Sequence, residues 1–198
     1  MTDKKKPVLM THEVCKQFFC GDVILSNYIL TFDDGLLSQY LMLEDLLLVP
    51  TEKIFFINTG IIAEYEQMQD ATFVSCREAH DYWFETHDAA YYMTWDQIKE
   101  ISRLDNCKIG GHSHSHIRGN KNIIADTRSM MEEFEKHDIE IDSFCFPYNE
   151  ELDHYKHVLG TYGIKYFYGA ERINSDELFK PHRRDYYVNN LKCYAEIE

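Results

Sequence analysis

Two short segments combine the residue types that hold a catalytic metal ion. The segment 110–116 reads G-G-H-S-H-S-H. His112 and His116 are four positions apart, so their side chains fall on the same face of a helical turn or of an extended segment, and His114 joins them only if the segment is extended. Two histidines and one carboxylate form a common catalytic metal set that leaves positions open for water and substrate, and Zn²⁺ is its usual occupant. Asp34 is the carboxylate that we expect to complete the set.

The pair Asp33 and Asp34, followed by Gly35, offers two carboxylates that can take different roles. Consecutive side chains on a strand point in opposite directions, but the backbone turns at the end of a strand, so both carboxylates can flank one site. One could bind the metal ion while the other takes a proton from metal-bound water. Taken alone, Asp-Asp-Gly is typical of an ordinary turn, and the histidine segment is typical of a polar loop. Their combination at successive strand ends favours a metal site.

Alternating strands and helices position these residues. The predicted strands are 28–32, Lys53–Ile57, Cys107–Gly111, 143–146 and 164–168, and the predicted helices are 36–49, 95–104, 123–137 and 150–160. This alternation predicts an α/β fold with a parallel sheet and crossover helices. The aspartate pair, the histidine segment and Pro147–Tyr148 all follow strand ends, where the sites of α/β barrels are built.

The composition argues against several classes of partner. The formal charge of −14 and the pI near 5.1 oppose sequence-independent binding to nucleic acid or anionic lipid, because both depend on clustered positive charge. The longest apolar stretch, 36–49, is interrupted by polar residues and is shorter than the ~20 residues that a membrane span needs. No apolar run follows the first lysines, so we expect no signal peptide and a cytoplasmic protein. Six cysteines without a C-x-x-C pair indicate reduced thiols.

The length of 198 residues suits one domain with a sizeable core but is small for a complete eight-stranded α/β barrel. No internal repeat, low-complexity tract or linker is present. We therefore expect a single domain over 1–198.

Three motifs resemble, in chain order, those of the polysaccharide deacetylases, the family that includes chitin and peptidoglycan deacetylases. They are T-F-D-D-G at 31–35, His112-Ser113 with His116, and F-C-F-P-Y-N at 144–149. The resemblance extends to F-F-I-N-T-G at 55–60 and to M-T-W-D-Q-I at 93–98. It implies a distorted (β/α) barrel with fewer than eight complete βα units.

The resemblance also implies roles for the site residues. Asp34, His112 and His116 would hold a divalent metal ion, with Zn²⁺ expected and Co²⁺, Ni²⁺ or Fe²⁺ as substitutes, and Asp33 would be the general base. Water activated by the metal ion would attack the acetyl group of an N-acetylated amino sugar, carried on a polymer, an oligosaccharide or a sugar nucleotide. A backbone N–H near Tyr148 would help to stabilise the oxyanion.

The chain departs from the family pattern at two places. Many members carry, where this chain has Cys145, an arginine that pairs with the catalytic aspartate. Arg183, in the R-R-D element at 183–185, is the candidate replacement, and a solvated basic patch is the alternative interpretation. The family's late histidine, which protonates the leaving amine, has two candidate counterparts, His182 and His114.

Two other functions stay open on the sequence. The same metal site could hydrolyse a non-sugar amide, since the metal chemistry constrains the carbonyl and hardly the rest of the substrate. A non-catalytic carbohydrate- or metal-binding protein could have kept the ligands, and Cys145 motivates that alternative. The basic cluster within 180–184 could receive the phosphates of a nucleotide-linked sugar. The segment 71–92 matches no motif and would either line the cleft or merely cover it.

Overall fold

The structure is a computed structural model, and it describes residues 7–20, 24–118, 121–169, 172–173 and 192–194. Its strands are β1 (Val8–Thr11), β2 (Ile29–Phe32), β3 (Lys53–Ile57), β4 (Cys107–Gly111), β5 (Ser143–Cys145), β6 (Tyr166–Tyr168), β7 (Arg172–Ile173) and β8 (Lys192–Tyr194). Its helices are α1 (Lys16–Phe19), α2 (Leu37–Leu41), α3 (Leu43–Leu47), α4 (Cys76–Thr86), α5 (Trp95–Ser102), α6 (Ile123–Lys136) and α7 (Asp153–Thr161). Within the described ranges, no helix has the length and apolarity to cross a membrane.

The strands form one sheet in the order β6-β5-β4-β3-β2-β1-β8-β7. Strands β1 to β6 are parallel neighbours in chain order, and β8 pairs antiparallel with both β1 and β7. Crossovers between parallel neighbours are right-handed as a rule, and a common hand places the helices on one side of the sheet. The fold is an α/β distorted barrel with fewer than eight complete βα units, as the sequence predicts.

The two faces of the sheet carry separate hydrophobic clusters because side chains alternate along each strand. The face covered by helices contributes Leu9 and Phe55 to a large cluster that includes Ile98 of α5 and Phe134 of α6. The opposite face carries a small cluster made of Val8, Met10, Ile54, Phe56, Cys145 and Tyr168. Both faces of β1 and β3 are therefore buried, which holds the carboxyl ends of the strands in fixed positions.

Most predicted elements are present, with ends displaced by one to three residues. Strands Lys53–Ile57 and Cys107–Gly111 keep their predicted bounds. Helix α5 begins with a capping box: Gln97 N–H donates to Thr94 Oγ1 at 3.3 Å, and Thr94 N–H donates to Gln97 Oε1 at 3.0 Å.

The prediction of one buried helix over 36–49 is wrong. Two short helices, α2 and α3, meet at Met42, whose φ of −103° and ψ of 14° leave the helical region. Leu41 is 52% exposed and Leu48 is 80% exposed. Seven leucines in this stretch cover more than one helical face, so no single orientation buries all of them. Strand β1 was not predicted, and it places His12 at its carboxyl end.

Candidate metal and catalytic site

The carboxyl ends of the parallel strands open into a cavity of about 340 Å³. His12 follows β1, Asp33 and Asp34 follow β2, His112 follows β4 and Phe146 follows β5, and all of them line the cavity. Parallel strands bring their carboxyl ends to one edge of a sheet. Residues that are far apart in the sequence therefore meet in one place.

The turn after β2 directs both aspartates toward the cavity. Asp34 and Gly35 have φ values of 71° and 74°, a left-handed conformation that is strained for a residue other than glycine. This reversal lets Asp33 and Asp34 flank one site, and their side chains are buried, with 3% and 1% of the residue exposed. The amide of Gln39 donates to the carbonyls of His12 and Asp33, both at 2.7 Å, and so joins the ends of β1 and β2.

Asp34 meets two histidines in a geometry that fits a metal ion. Its Oδ1 lies 3.3 Å from Nε2 of both His112 and His116. His112 Nδ1 lies 2.8 Å from the carbonyl of Cys145. Because a carbonyl can only accept a hydrogen bond, Nδ1 carries the proton of the neutral imidazole, and the lone pair of Nε2 points toward the Asp34 carboxylate. Two acceptors at this distance require a proton or a cation between them. Ligands that sit about 2.0–2.1 Å from a tetrahedral ion are about 3.3 Å from each other, so this donor set fits a divalent metal.

The surroundings keep Asp34 ionised. Burial by itself raises the pKa of Asp34, but the contacts with His112 and His116 outweigh burial and hold that pKa well below its usual value. Burial lowers the pKa of His112, but the hydrogen bond to Asp34, the charges of Asp33 and Asp34 and the Cys145 carbonyl together outweigh burial, so the pKa is raised. For His116 burial prevails over Asp34 and the pKa is lowered. An ionised carboxylate is the form that binds a cation.

The histidine loop after β4 is held from two sides. Gly60 N–H donates to the His114 carbonyl at 2.9 Å, and a Cβ on Gly60 would lie 2.3 Å from that oxygen, so no side chain fits there. On the other side, the Asp126 carboxylate of α6 accepts from the N–H groups of His114 and Ser115 at 2.9 and 2.8 Å. The His114 ring contacts Thr59 Oγ1 at 3.0 Å and does not line the cavity. His114 is therefore outside the metal set.

Asp33, the predicted general base, has no lysine or arginine partner among the described residues. Its Oδ2 is 3.4 Å from Cys145 Sγ, and its Oδ1 is buried with no hydrogen-bond partner within the described ranges. Burial and then the charge of Asp33 raise the pKa of Cys145 well above its usual value, so the thiol is a weak neutral donor. Cys145 thus contacts the aspartate without balancing its charge. Arg183 and His182 lie outside the described residues.

Tyr148 lies behind His116, at the side of the ring away from Asp34. Its Oη is 3.1 Å from His116 Nδ1, a contact of the kind that orients a metal-binding imidazole. The Arg118 guanidinium lies 4.0 Å from the centre of the Tyr148 ring. The backbone N–H of Tyr148 belongs to the 3₁₀ segment Pro147–Asn149, and the first N–H groups of a helical segment lack partners inside it.

Helix α4 forms a wall of the cavity that the sequence analysis left unassigned. Cys76 Sγ is 3.1 Å from Asp34 Oδ2, and His80 Nε2 is 3.9 Å from Asp34 Oδ1. His80 Nδ1 is 3.0 Å from the Cys76 carbonyl and donates to it, while Nε2 has no hydrogen-bond partner in the described part of the chain. His12 Nε2 lies 3.7 Å from Asp34 Oδ2. The segment 71–92 therefore lines the cleft.

Two patterns in that segment signal the helix and its face. Ser75 and Glu78 have the spacing of a capping box, and α4 uses it: Glu78 N–H donates to Ser75 Oγ at 3.3 Å, and Ser75 N–H donates to Glu78 Oε2 at 2.8 Å. Cys76 and His80 are four residues apart, so they lie on one side of a helix. Neither pattern indicates which part of the fold that side would face.

No protein-family profile and no curated protein matches the sequence. Several solved structures do match. The deacetylase PplD from Streptococcus pyogenes, solved with acetate, is 12% identical with a TM-score of 0.58, and the match covers 88% of each chain. IcaB from Ammonifex degensii is 18% identical with a TM-score of 0.54, over 83% of this chain and 70% of that chain. The BpsB deacetylase domain from Bordetella bronchiseptica is 16% identical with a TM-score of 0.55, over 73% and 64%. The chain thus spans about two thirds of the length of IcaB and BpsB and shares the fold of these three proteins.

Proposed function

We propose that this chain is a metal-dependent hydrolase of the polysaccharide-deacetylase type, which removes the acetyl group from an N-acetylated amino sugar. The observation that carries the proposal is the buried cluster of Asp34, His112 and His116, which lies beside an oxygen of Asp33 that has no hydrogen-bond partner among the described residues. The motifs that contain these four residues are the ones that resemble the family. The likeness in fold to known deacetylases is consistent with the same reaction.

Asp34, His112 and His116 would hold the metal ion, which supplies a Lewis acid and an activated water when bound. Two imidazole nitrogens and a carboxylate oxygen suit Zn²⁺, and Co²⁺, Ni²⁺ and Fe²⁺ accept the same donors. The carbonyl of Cys145 and the hydroxyl of Tyr148 would fix the orientation of the two rings.

The chain's own groups would move the protons. Asp33 would accept a proton from the attacking water, because one of its oxygens is held only by a thiol and the other is free among the described residues. The Tyr148 N–H would donate to the oxyanion. His80 would pass a proton to the leaving nitrogen, since His80 lines the cavity and its Nε2 has no hydrogen-bond partner in the described part of the chain. His182 stays the alternative proton donor, and Arg183 stays the candidate partner of Asp33.

The dimensions of the cavity favour a single sugar unit as the bound group. A volume of about 340 Å³ is at the lower end of the range for ligand pockets, roughly 300–1,000 Å³. Phe84, Phe146 and Tyr148 line the cavity and offer aromatic surfaces to the ring of the sugar. We therefore propose a free, terminal or nucleotide-linked N-acetyl sugar as the preferred substrate.

Acetate release tests the proposal. Protein loaded in turn with Zn²⁺, Co²⁺, Ni²⁺ or Fe²⁺ would be given N-acetylated monosaccharides, chitooligosaccharides, nucleotide-linked N-acetyl sugars and N-acetyl amides without a sugar. We expect acetate from a sugar substrate with the metal-loaded protein and none after the metal is stripped. Acetate release from the simple amides alone would show that the substrate is a non-sugar amide and not an N-acetylated sugar. No release from any substrate despite bound metal would indicate a binding protein.

A further inference from the structure

The two oxygens of Asp34 face two different groups of potential ligands. Oδ1 points to His112 and His116, at 3.3 Å from each. Oδ2 points to the other side, where Cys76 Sγ lies 3.1 Å away and His12 Nε2 lies 3.7 Å away. One carboxylate therefore connects two sets of donor atoms, and the proposed function uses the first set alone.

The second set has the composition of a metal site. It offers one imidazole nitrogen, one carboxylate oxygen and one sulfur, from His12, Asp34 and Cys76, and these atoms all lie within 4.8 Å of one another. Ligands of a tetrahedral ion, bound at about 2.0–2.3 Å, are separated by roughly 3.3–3.6 Å, and the two distances to Asp34 bracket that range. A mixed nitrogen, oxygen and sulfur set suits Zn²⁺ and Co²⁺ and is poor for Mg²⁺ or Ca²⁺.

Hydrogen bonds fix the elements that carry the second set. Cys76 is the first residue of α4, whose start is fixed by the capping box of Ser75 and Glu78. The Cys76 N–H also donates to Glu13 Oε2 at 3.4 Å, which links the start of α4 to the turn after β1. His12 belongs to that same turn, and its carbonyl is bound by Gln39. The thiol and the imidazole are therefore directed at Oδ2 from two connected elements.

The charge of the site also leaves room for a second cation. Asp33 and Asp34 are both buried, and neither carboxylate has a lysine or arginine within salt-bridge distance in the described ranges. A thiol that coordinates a metal ion is deprotonated, so Cys76 would add a third negative charge. The second ion would itself offset that thiolate charge, and a buried charge is stable only when it is paired or bound to a metal.

We propose that His12, Cys76 and Oδ2 of Asp34 form a second divalent-metal site, so that Asp34 bridges two ions. The first of these ions is the one on which the proposed function rests, whereas the second site needs only its own three ligands. A second ion next to the first would place one more positive charge beside the reacting carbonyl and its attacking water. The probe is Co²⁺, because a cobalt–thiolate bond gives a near-ultraviolet charge-transfer band that nitrogen and oxygen ligands do not give.

The test counts Co²⁺ per chain and records that band in wild type and in Cys76→Ser, His12→Ala and His112→Ala. Wild type should bind two ions and show the band. Cys76→Ser and His12→Ala should each bind one ion, with the band absent from Cys76→Ser. His112→Ala should keep the band while losing one ion. Cys20→Ser, which removes an exposed thiol away from the cavity, is the matched control and should behave as wild type.

One ion in wild type without the band would overturn the second site, and one ion with the band would overturn the bridging of two ions by Asp34. A band that survives Cys76→Ser would overturn it as well. Circular dichroism would verify that each variant is folded before its metal is counted. Failure of the proposed function would appear as an absence of acetate release and would leave the metal count unchanged, so the two proposals fail separately.

Discussion

Two walls of the cavity reach the same carboxylate and are held in different ways. The strand-end wall consists of Asp33, Asp34, His112 and His116, which lie in the turns after β2 and β4, the two strands that pair with β3. The helix wall consists of Cys76 and His80 on α4. Both walls place side-chain atoms within 4 Å of Asp34.

The support behind each wall differs. The strand-end wall continues into strands that are buried on both faces, and its loops are tied by Gln39 and Asp126. The helix wall rests on a separate small cluster formed by Leu36, Ile61, Ala79 and Tyr92. A metal site needs ligands fixed to within a fraction of an ångström, and the sheet supplies that precision. We infer that the strand-end wall defines the chemistry and that the helix wall adjusts it.

The sharpest test of this division is Asp34→Asn, which removes the charge that both walls share. The variant should lose bound metal and more than about 10³-fold in acetate release, since an essential group of the site is gone. Metal analysis and acetate assays measure both effects. Asp81→Asn is the matched control, because Asp81 also lines the cavity but its side chain is 66% exposed. Metal binding and near-normal turnover in Asp34→Asn would refute the assignment of the shared carboxylate.

On the helix wall, His80→Ala should lower kcat by about 10²-fold, the size expected for the loss of a group that transfers a proton. Metal content should stay at the wild-type value, since His80 is outside the ligand sets. His154→Ala, at an exposed position of α7, serves as the control. If His80→Ala lost both metal and activity, His80 would be a metal ligand. The two walls would then share one role, contrary to the division drawn here.

Behind the strand-end wall, Asp126→Ala should weaken metal binding by about 10–100-fold, as changes to groups that orient ligands do. Two loop N–H groups lose their acceptor, and the loop that carries His116 is then free to shift. Activity should recover as the metal concentration is raised. Glu132→Ala, at an exposed site of the same helix, should change neither quantity. Activity that stays low at saturating metal would show that the loop has a role other than holding the ligand.

The smallest expected effect is that of Ser75→Ala at the start of α4. Loss of the cap should reduce the free energy of unfolding by about 1 kcal/mol and lower kcat only slightly. Chemical denaturation measures the first quantity. Ser102→Ala, at an exposed helix end, should stay within about 0.5 kcal/mol of wild type. A Ser75→Ala variant as inactive as Asp34→Asn would show that the helix wall is as essential as the strand-end wall.

The strand-end wall could be predicted from the sequence because its residues stand next to recognisable strands. Asp33 follows an apolar run and His112 follows Cys107–Gly111, so the carboxyl-edge rule of parallel sheets places them together. The helix wall could not be placed in this way. Cys76 and His80 follow no strand, and their position depends on packing of α4 against residues of three other segments.

Other features were missed for reasons that are equally physical. The four residues of β1 are too few to show the hydrophobic pattern of a strand. They form a strand because they pair with β2 and β8. Asp126 looks like one more acid on a polar helix until the loop that it holds is in place. The break at Met42 has no glycine or proline to mark it.

The central claim is that Asp33 acts as the base beside a metal ion held by Asp34, His112 and His116. The most direct measurement compares acetate release and bound metal in wild type and Asp33→Asn, using the best sugar substrate of the panel. We predict that the variant retains its metal and loses nearly all acetate release, because the amide cannot accept the proton of the attacking water. An Asp33→Asn variant that retains its metal and releases acetate at the wild-type rate would contradict the account.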